Sequence, residues 1–535
     1  MRLRLISLFM SMPLLSLVLM MPPALAQDQS QAQAQATAPL PTMAEIEKAW
    51  ADEDYETART GLARLATETG TALAQYRYGR ILLEGRGGDQ DIDAAVIWLT
   101  RAADQNNVAA ATLLARIYLS EFDQDAPVST QRDPARAAAL LGRAAALGGA
   151  EAQFQLARLY GAGVGVEKNA ETAFTWLLAA ARQEYVPAQY ALSNAYARGT
   201  GVAQNAAEAI TWLTRAADNN HLRAQFFLGR AYETGNGVKQ NAALAADWYE
   251  RAATGGLATA QRRLGAMYLN GAGVPTDPAR GLTWLRRAAD AGASEAMVDL
   301  GRAYAAGTGV TQDDVQAALW YARAVEYGQG PAMVSLAAMH EAGRGVGRDF
   351  DRAVVLYLKA LETSARQPAT VRLGQLAATG QLGTRYAPQR MVPWVLAAWD
   401  SGDAAAQTWL ETQAAAGLRD ARAGLATRYL TNPDTLQQGA VLLEQAATAG
   451  DAEAQMRLGQ LYMTGGHGTL DYVAAYKWFN IAATLGMGEA GELRTTASAL
   501  MTPDQVAQAQ EATRQWFAHE EPQPPATKQT VKVTK

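Results

Sequence analysis

The 535-residue chain contains no cysteine and only four histidines. Without cysteine there is no disulfide, no thiolate metal site, no cysteine nucleophile and no cysteine to carry a lipid anchor. The histidines, His221, His340, His467 and His519, are too far apart to form a His-x-x-x-His pair, so neither a metal site nor a cofactor is expected. A strong charge of one sign is also missing: the net charge is −5 and the pI about 5.6. Nucleic acid, which demands a basic stripe, is therefore not an expected partner. The apolar run Leu5–Met21 follows Arg2 and Arg4, is interrupted by Pro13 and precedes Ala24-Leu25-Ala26. That is the pattern of a secretory signal peptide, with cleavage expected after Ala26, a periplasmic location and no stable membrane insertion afterwards.

What the chain has instead is repetition. Trp176, Trp212, Trp248, Trp284 and Trp320 recur every 36 residues, and other columns keep the same phase. One unit runs through Ala152, Leu156, Tyr160, Gly163, Gly165, Val166, Asn169, Ala173, Trp176, Ala180 and Ala181. The next runs through Ala188, Leu192, Tyr196, Gly199, Gly201, Val202, Asn205, Ala209 and Trp212. Ala152, Leu156 and Tyr160 are four apart, one stripe of a first helix. Ala173, Trp176, Leu177, Ala180 and Ala181 follow i, i+3, i+4, i+7, i+8, the broad apolar face of a second. The glycines between them end the first helix. Asn169, Asn205, Asn241, Asp277, Asp313 and Asp349 occupy the N-cap position of the second. The tryptophans, flanked by alanines at helical spacing, are expected to be core rather than platforms for sugar stacking. A period of this length marks stacked units that bury their apolar faces only against neighbours.

The pattern A-x-x-x-L-G-x-x-Y-x-x-G-x-G-V-x-x-D-x-x-x-A-x-x-W-x-x-x-A-A resembles the Sel1-like repeat, a branch of the tetratricopeptide-type superfamily. It extends from about Ala74 to Ala483, with clean copies between Ala152 and Gly345. The resemblance implies an all-α, right-handed superhelical solenoid of stacked antiparallel helix pairs that acts as a scaffold for other proteins. The chain then divides into a signal peptide (1–26), a Gln/Ala-rich linker expected to be disordered (27–42), an N-terminal repeat array (43–364), an irregular helical junction (365–420), C-terminal repeats with a closing helix opened by Thr502-Pro503 (421–517), and a disordered tail (518–535).

Features that superficially suggest chemistry have simpler accounts. Gly161, Gly163 and Gly165 are not a phosphate cradle, because such a loop follows a strand and here a helix precedes it. In Asp313-Asp314 the first carboxylate stands at a recurrent cap position. The positions that vary between units lie opposite the packed stripe of the first helix: Phe154 and Arg158; Tyr190 and Asn194; Phe226 and Arg230, with Phe227 beside them; Arg262 and Leu269; Val298 and Arg302. Aromatic and arginine side chains are enriched at binding hot spots, so this face is expected to hold a protein or peptide partner in the superhelical groove.

The leading functional expectation is thus a non-enzymatic periplasmic adaptor for envelope assembly or signalling. Resemblance to the scaffold of alginate-type exopolysaccharide export suggests a polysaccharide-export complex as an alternative setting, although that scaffold is anchored through a cysteine that this chain lacks. A further alternative, from resemblance, is a secreted hydrolase or penicillin-binding repeat protein, although such members of the family are cysteine-rich. No serine here stands in an S-x-x-K setting, so no catalytic residue is assigned.

Overall fold

A computed structural model describes residues 39–119, 132–466, 468 and 470–519. The expected signal peptide, residues 27–38 of the linker, residues 120–131, His467 and residues 520–535 of the tail lie outside the described residues. Among the described residues every regular element is an α-helix, and most helices are 13 residues long. The chain divides into two compact units, residues 1–255 and 256–535, and each is a stack of antiparallel helix pairs.

The repeated pair is built from local rules. The helix Ala150–Ala162 ends at Gly163, whose φ is 72°, and Gly165 repeats the left-handed conformation at 70°. The second glycine is required twice over, because a Cβ there would also collide with the Pro134 carbonyl oxygen of the preceding pair. The chain then returns through Asn169, whose N–H donates to the Tyr160 carbonyl at 2.9 Å. Its side-chain oxygen accepts from the Thr172 N–H at 2.9 Å and starts the helix Ala170–Arg182. Asn241, Asp277, Asp313 and Asp349 cap their helices in the same way, and Asn205 accepts from Ala207 and Glu208.

Ala152, Ala188, Ala224, Ala260, Ala296 and Ala332 are fully buried, as are Leu192, Leu228, Leu264 and Leu300. The first-helix stripe therefore faces the core. The second-helix stripe departs from expectation at its tryptophans. Trp212 and Trp284 are buried, whereas Trp176, Trp248 and Trp320 are only half-buried. From Trp248 onward the deepest position is the following residue: Tyr249 and Leu285 are fully buried, and Tyr321 and Tyr357 nearly so, whereas Leu213 is no deeper than Trp212. One helical step of about 100° separates the two positions, and the later one points at the glycine of the facing helix. A Cβ on Gly229 would press against the Tyr249 ring. The tryptophans lie nearer the rim, where arginines three residues on cover them: Arg215 over Trp212 at 4.5 Å, Arg251 over Trp248 at 4.4 Å, Arg287 over Trp284 at 4.8 Å and Arg323 over Trp320 at 5.5 Å.

Buried glutamines tie one pair to the next. Gln153 donates to the Ala145 carbonyl at 3.1 Å and accepts from Gln183, 30 residues later, at 2.8 Å. Gln75 accepts likewise from Gln105, and Gln189 from Asn219. At Gln225 and Gln455 the position 30 residues on is Gly255 or Leu485, which offers no side-chain donor, and both Oε1 atoms have no hydrogen-bond partner.

Within the second unit, residues 365–420 form the helices Arg366–Ala378, Pro388–Asp400 and Ala404–Ala415. Leu373, Val395, Ala398 and Leu410 are fully buried, so apolar helical faces pack here without the repeat signature. The helix Pro503–His519 begins with a reciprocal pair: Thr502 N–H donates to Gln505 Oε1 at 2.9 Å, and Gln505 N–H donates to Thr502 Oγ1 at 3.3 Å. Its Trp516 and Phe517 pack against the cluster containing Leu458 and Trp478.

Candidate functional site

A groove of about 900 Å³ in the first unit is formed by the helices Val186–Arg198, Ala206–Asp218 and Leu222–Thr234, with Phe154 contributing from the preceding pair. Five of the residues expected from sequence converge here: Phe154, Tyr190, Asn194, Phe227 and Arg230. Phe154 sits 5.5 Å from the Tyr185 ring. Tyr190 stacks on His221 at 4.5 Å and on Phe227 at 6.2 Å, and the Arg230 guanidinium lies 4.9 Å over the Phe227 ring. Asn194 is turned inward, donating from its amide to the Tyr190 carbonyl at 3.0 Å.

The other four expected residues are elsewhere. Phe226 leaves the groove and packs on Phe227 and Tyr249, each at 5.4 Å. Arg158 is exposed and donates to Gln155 on its own helix. Arg262 and Arg302 belong to the second unit, where both clamp Asp299, at 2.6 and 3.4 Å. Val298, expected on the same variable face, is buried in the core.

Residues that the periodic reading passed over complete the groove. His221 caps the helix Leu222–Thr234: its Nδ1 accepts from the Ala224 N–H at 3.1 Å. That bond requires the tautomer with the proton on Nε2, and burial holds the imidazole below its usual pKa. Arg198 and Arg223 line the same space as Arg230. None of these three has an ion-pair partner among the described residues, in contrast to Arg344 on Asp314, Arg372 on Glu341 and Arg428 on Asp400. No aspartate or glutamate lines the groove. Glu233, the acid of the same helix, accepts from the Tyr249 hydroxyl at 2.7 Å. The sequence signal was available in the helix ends, since His221 and Arg223 flank the start of one helix and Arg198 closes another.

Among the described residues no cluster of three histidine or acidic side chains could hold a metal, and no helix is long and apolar enough to cross a membrane. The fold defines a helical-repeat scaffold, and the groove is a candidate binding surface on its first unit. The Sel1 repeat is matched nine times, at residues 72–107, 108–149, 150–185, 186–221, 222–257, 258–292, 294–328, 330–362 and 452–487, and the chain belongs to the Sel1 repeat family. Such repeats mediate protein–protein interaction.

Among solved structures, the chain is similar to a protective antigen of uropathogenic Escherichia coli displaying an SLR fold, at 27% identity and a TM-score of 0.57, covering 86% of this chain and 94% of that one. It is also similar to a Sel1 repeat protein from Oxalobacter formigenes, at 30% identity and a TM-score of 0.47, covering 59% and 90%. No curated protein matches.

Proposed function

We propose that the chain is a non-enzymatic adaptor that holds a protein partner in the groove of its first unit, working in the bacterial periplasm in envelope assembly or signalling. The observation that carries this reading is the convergence of Tyr190, Phe227 and three unpaired arginines in one concave space. Arginine and aromatic side chains are those that dominate interface energetics, and here the cations have no counter-charge among the described residues to compete with a partner's. The leader that directs the chain to the periplasm is read from Met1–Ala26, outside the described residues.

The test is capture from a periplasmic extract on the tagged protein, compared with the double variant Tyr190→Ala, Arg230→Ala. Helicity should be retained and the captured proteins lost. Identical capture by the variant would remove the groove from the account, and a tagged protein recovered only from the cytoplasm would remove the compartment.

A further inference from the structure

The arginines of the groove carry information about what it accepts. We infer that the occupant is an extended acidic peptide segment in which an aromatic or aliphatic residue is flanked by carboxylates; this rests on the groove being the binding site. Three features converge on that chemistry. Arg198, Arg223 and Arg230 extend into one groove from the end of one helix and from the start and the third turn of another, and no acid among the lining residues neutralises them. A guanidinium offers five donors in a planar fork suited to carboxylate. Phe154, Pro187 and Ile210 line the same groove, apolar surface that an all-acidic polymer would leave unfilled.

The same geometry disfavours an acidic polysaccharide. Sugar binding needs an open aromatic face and free amide or carboxylate groups for the ring hydroxyls. Here Tyr190 stacks on both His221 and Phe227, Phe227 carries Arg230, and the Asn194 amide is committed to a backbone carbonyl. The contacts running from His221 through Tyr190 and Phe227 to Arg230 cover part of each ring and hold the Arg230 guanidinium in position before a ligand arrives, which lowers the ordering cost of binding.

The experiment uses the full mature chain and a fluorescein-labelled peptide, Asp-Glu-Phe-Asp-Glu-Leu, read by fluorescence anisotropy. A control peptide replaces each acid with lysine, and an oligouronate competes in a third arm. The expected result is binding of the acidic peptide alone, weakened at least tenfold between 50 and 300 mM salt as screened ion pairs should be. Arg223→Glu with Arg230→Glu, both exposed side chains, should abolish it while thermal melting is unchanged. Arg230→Lys should weaken it, because the fork over Phe227 is lost.

Equal binding of the lysine peptide, a salt-independent affinity, or displacement by the oligouronate at lower concentration than by unlabelled peptide would each overturn the inference. If the acidic peptide fails to bind but the Tyr190→Ala, Arg230→Ala variant still loses its captured proteins, the acidic-segment inference falls and the adaptor reading stands. If neither depends on the groove, both fall.

Discussion

At the scale of single residues, the informative positions are those where the repeat fails to repeat. Gln455 is fully buried, and its Oε1 lacks the donor that Gln183 gives Gln153, because Leu485 stands 30 residues on. Leu485 is partly exposed at a helix end, so Leu485→Gln can supply the missing amide without opening a cavity. Satisfying a buried acceptor should raise stability by about 1 kcal/mol; a melting temperature equal to or below the parent's would show that the orphan acceptor is already relieved by water. His221 offers a test by pH. Its folded pKa is depressed by burial, so its contribution is present above the unfolded value of about 6.5 and lost as pH falls through the folded value. Protonation also removes the Nδ1 acceptor from the Ala224 N–H. Stability should therefore fall more between pH 7.5 and 5 in the parent than in His221→Asn, which keeps a cap that does not titrate. Parallel pH profiles in urea unfolding would discard this role.

At the scale of the element, local rules were fully legible. The caps at Asn169 through Asp349, the paired turn glycines and the alanine–leucine stripe depend on residues within a few positions of one another, which a periodic sequence displays directly. The turn glycines are the most sensitive of these. Gly201 has φ 71°, and a Cβ there would collide with the Ala170 carbonyl oxygen, so Gly201→Ala should cost about 2 kcal/mol or more. Asn205→Ala, which removes only a cap, should cost about 1 kcal/mol. Denaturant midpoints would rank the two, and an equal loss would show that the close approach is absorbed elsewhere. What periodicity could not decide was which of two adjacent residues goes deeper. Trp248 and Tyr249 are one residue apart, and only the facing Gly229, some twenty residues away, selects the tyrosine. The site was legible where it rests on variable ring and arginine positions of first helices, hence Tyr190, Phe227 and Arg230. It was not legible where a counter-charge lies in another unit of the repeat: Arg262 was expected on the partner-binding face, yet Asp299, 37 residues later, occupies it.

At the scale of the whole molecule, the core of the described residues is a series of clusters: the longest runs through nine successive helices from Leu282 to Leu425, a second runs from Leu82 to Leu159, and the smaller ones are each confined to a few neighbouring helices. One gathers Ile46, Leu62 and Ile81, another Ala180, Leu192 and Trp212, another Leu213, Ala217 and Leu228, and others form near the closing helix. In an array of this kind, stability is close to a sum of repeat terms and nearest-neighbour terms, and damage should stay local. Tyr249→Ala provides the test, since Tyr249 is fully buried and its ring fills the space against Gly229. The loss should be on the order of 3–5 kcal/mol. Trp248→Ala should lose less, because that side chain is only partly buried and is covered by Arg251. Amide hydrogen exchange on Tyr249→Ala should speed up in the helices Leu222–Thr234 and Ala242–Thr254, while Tyr472–Thr484 and Pro503–His519 keep the parent's protection. Because the first of those helices carries His221, Phe227 and Arg230, the same variant should weaken capture in the groove although it touches no ligand-facing atom. Uniform loss of protection along the chain would mean that the clusters act as one cooperative core, and the groove could not then be tuned independently of the rest of the array.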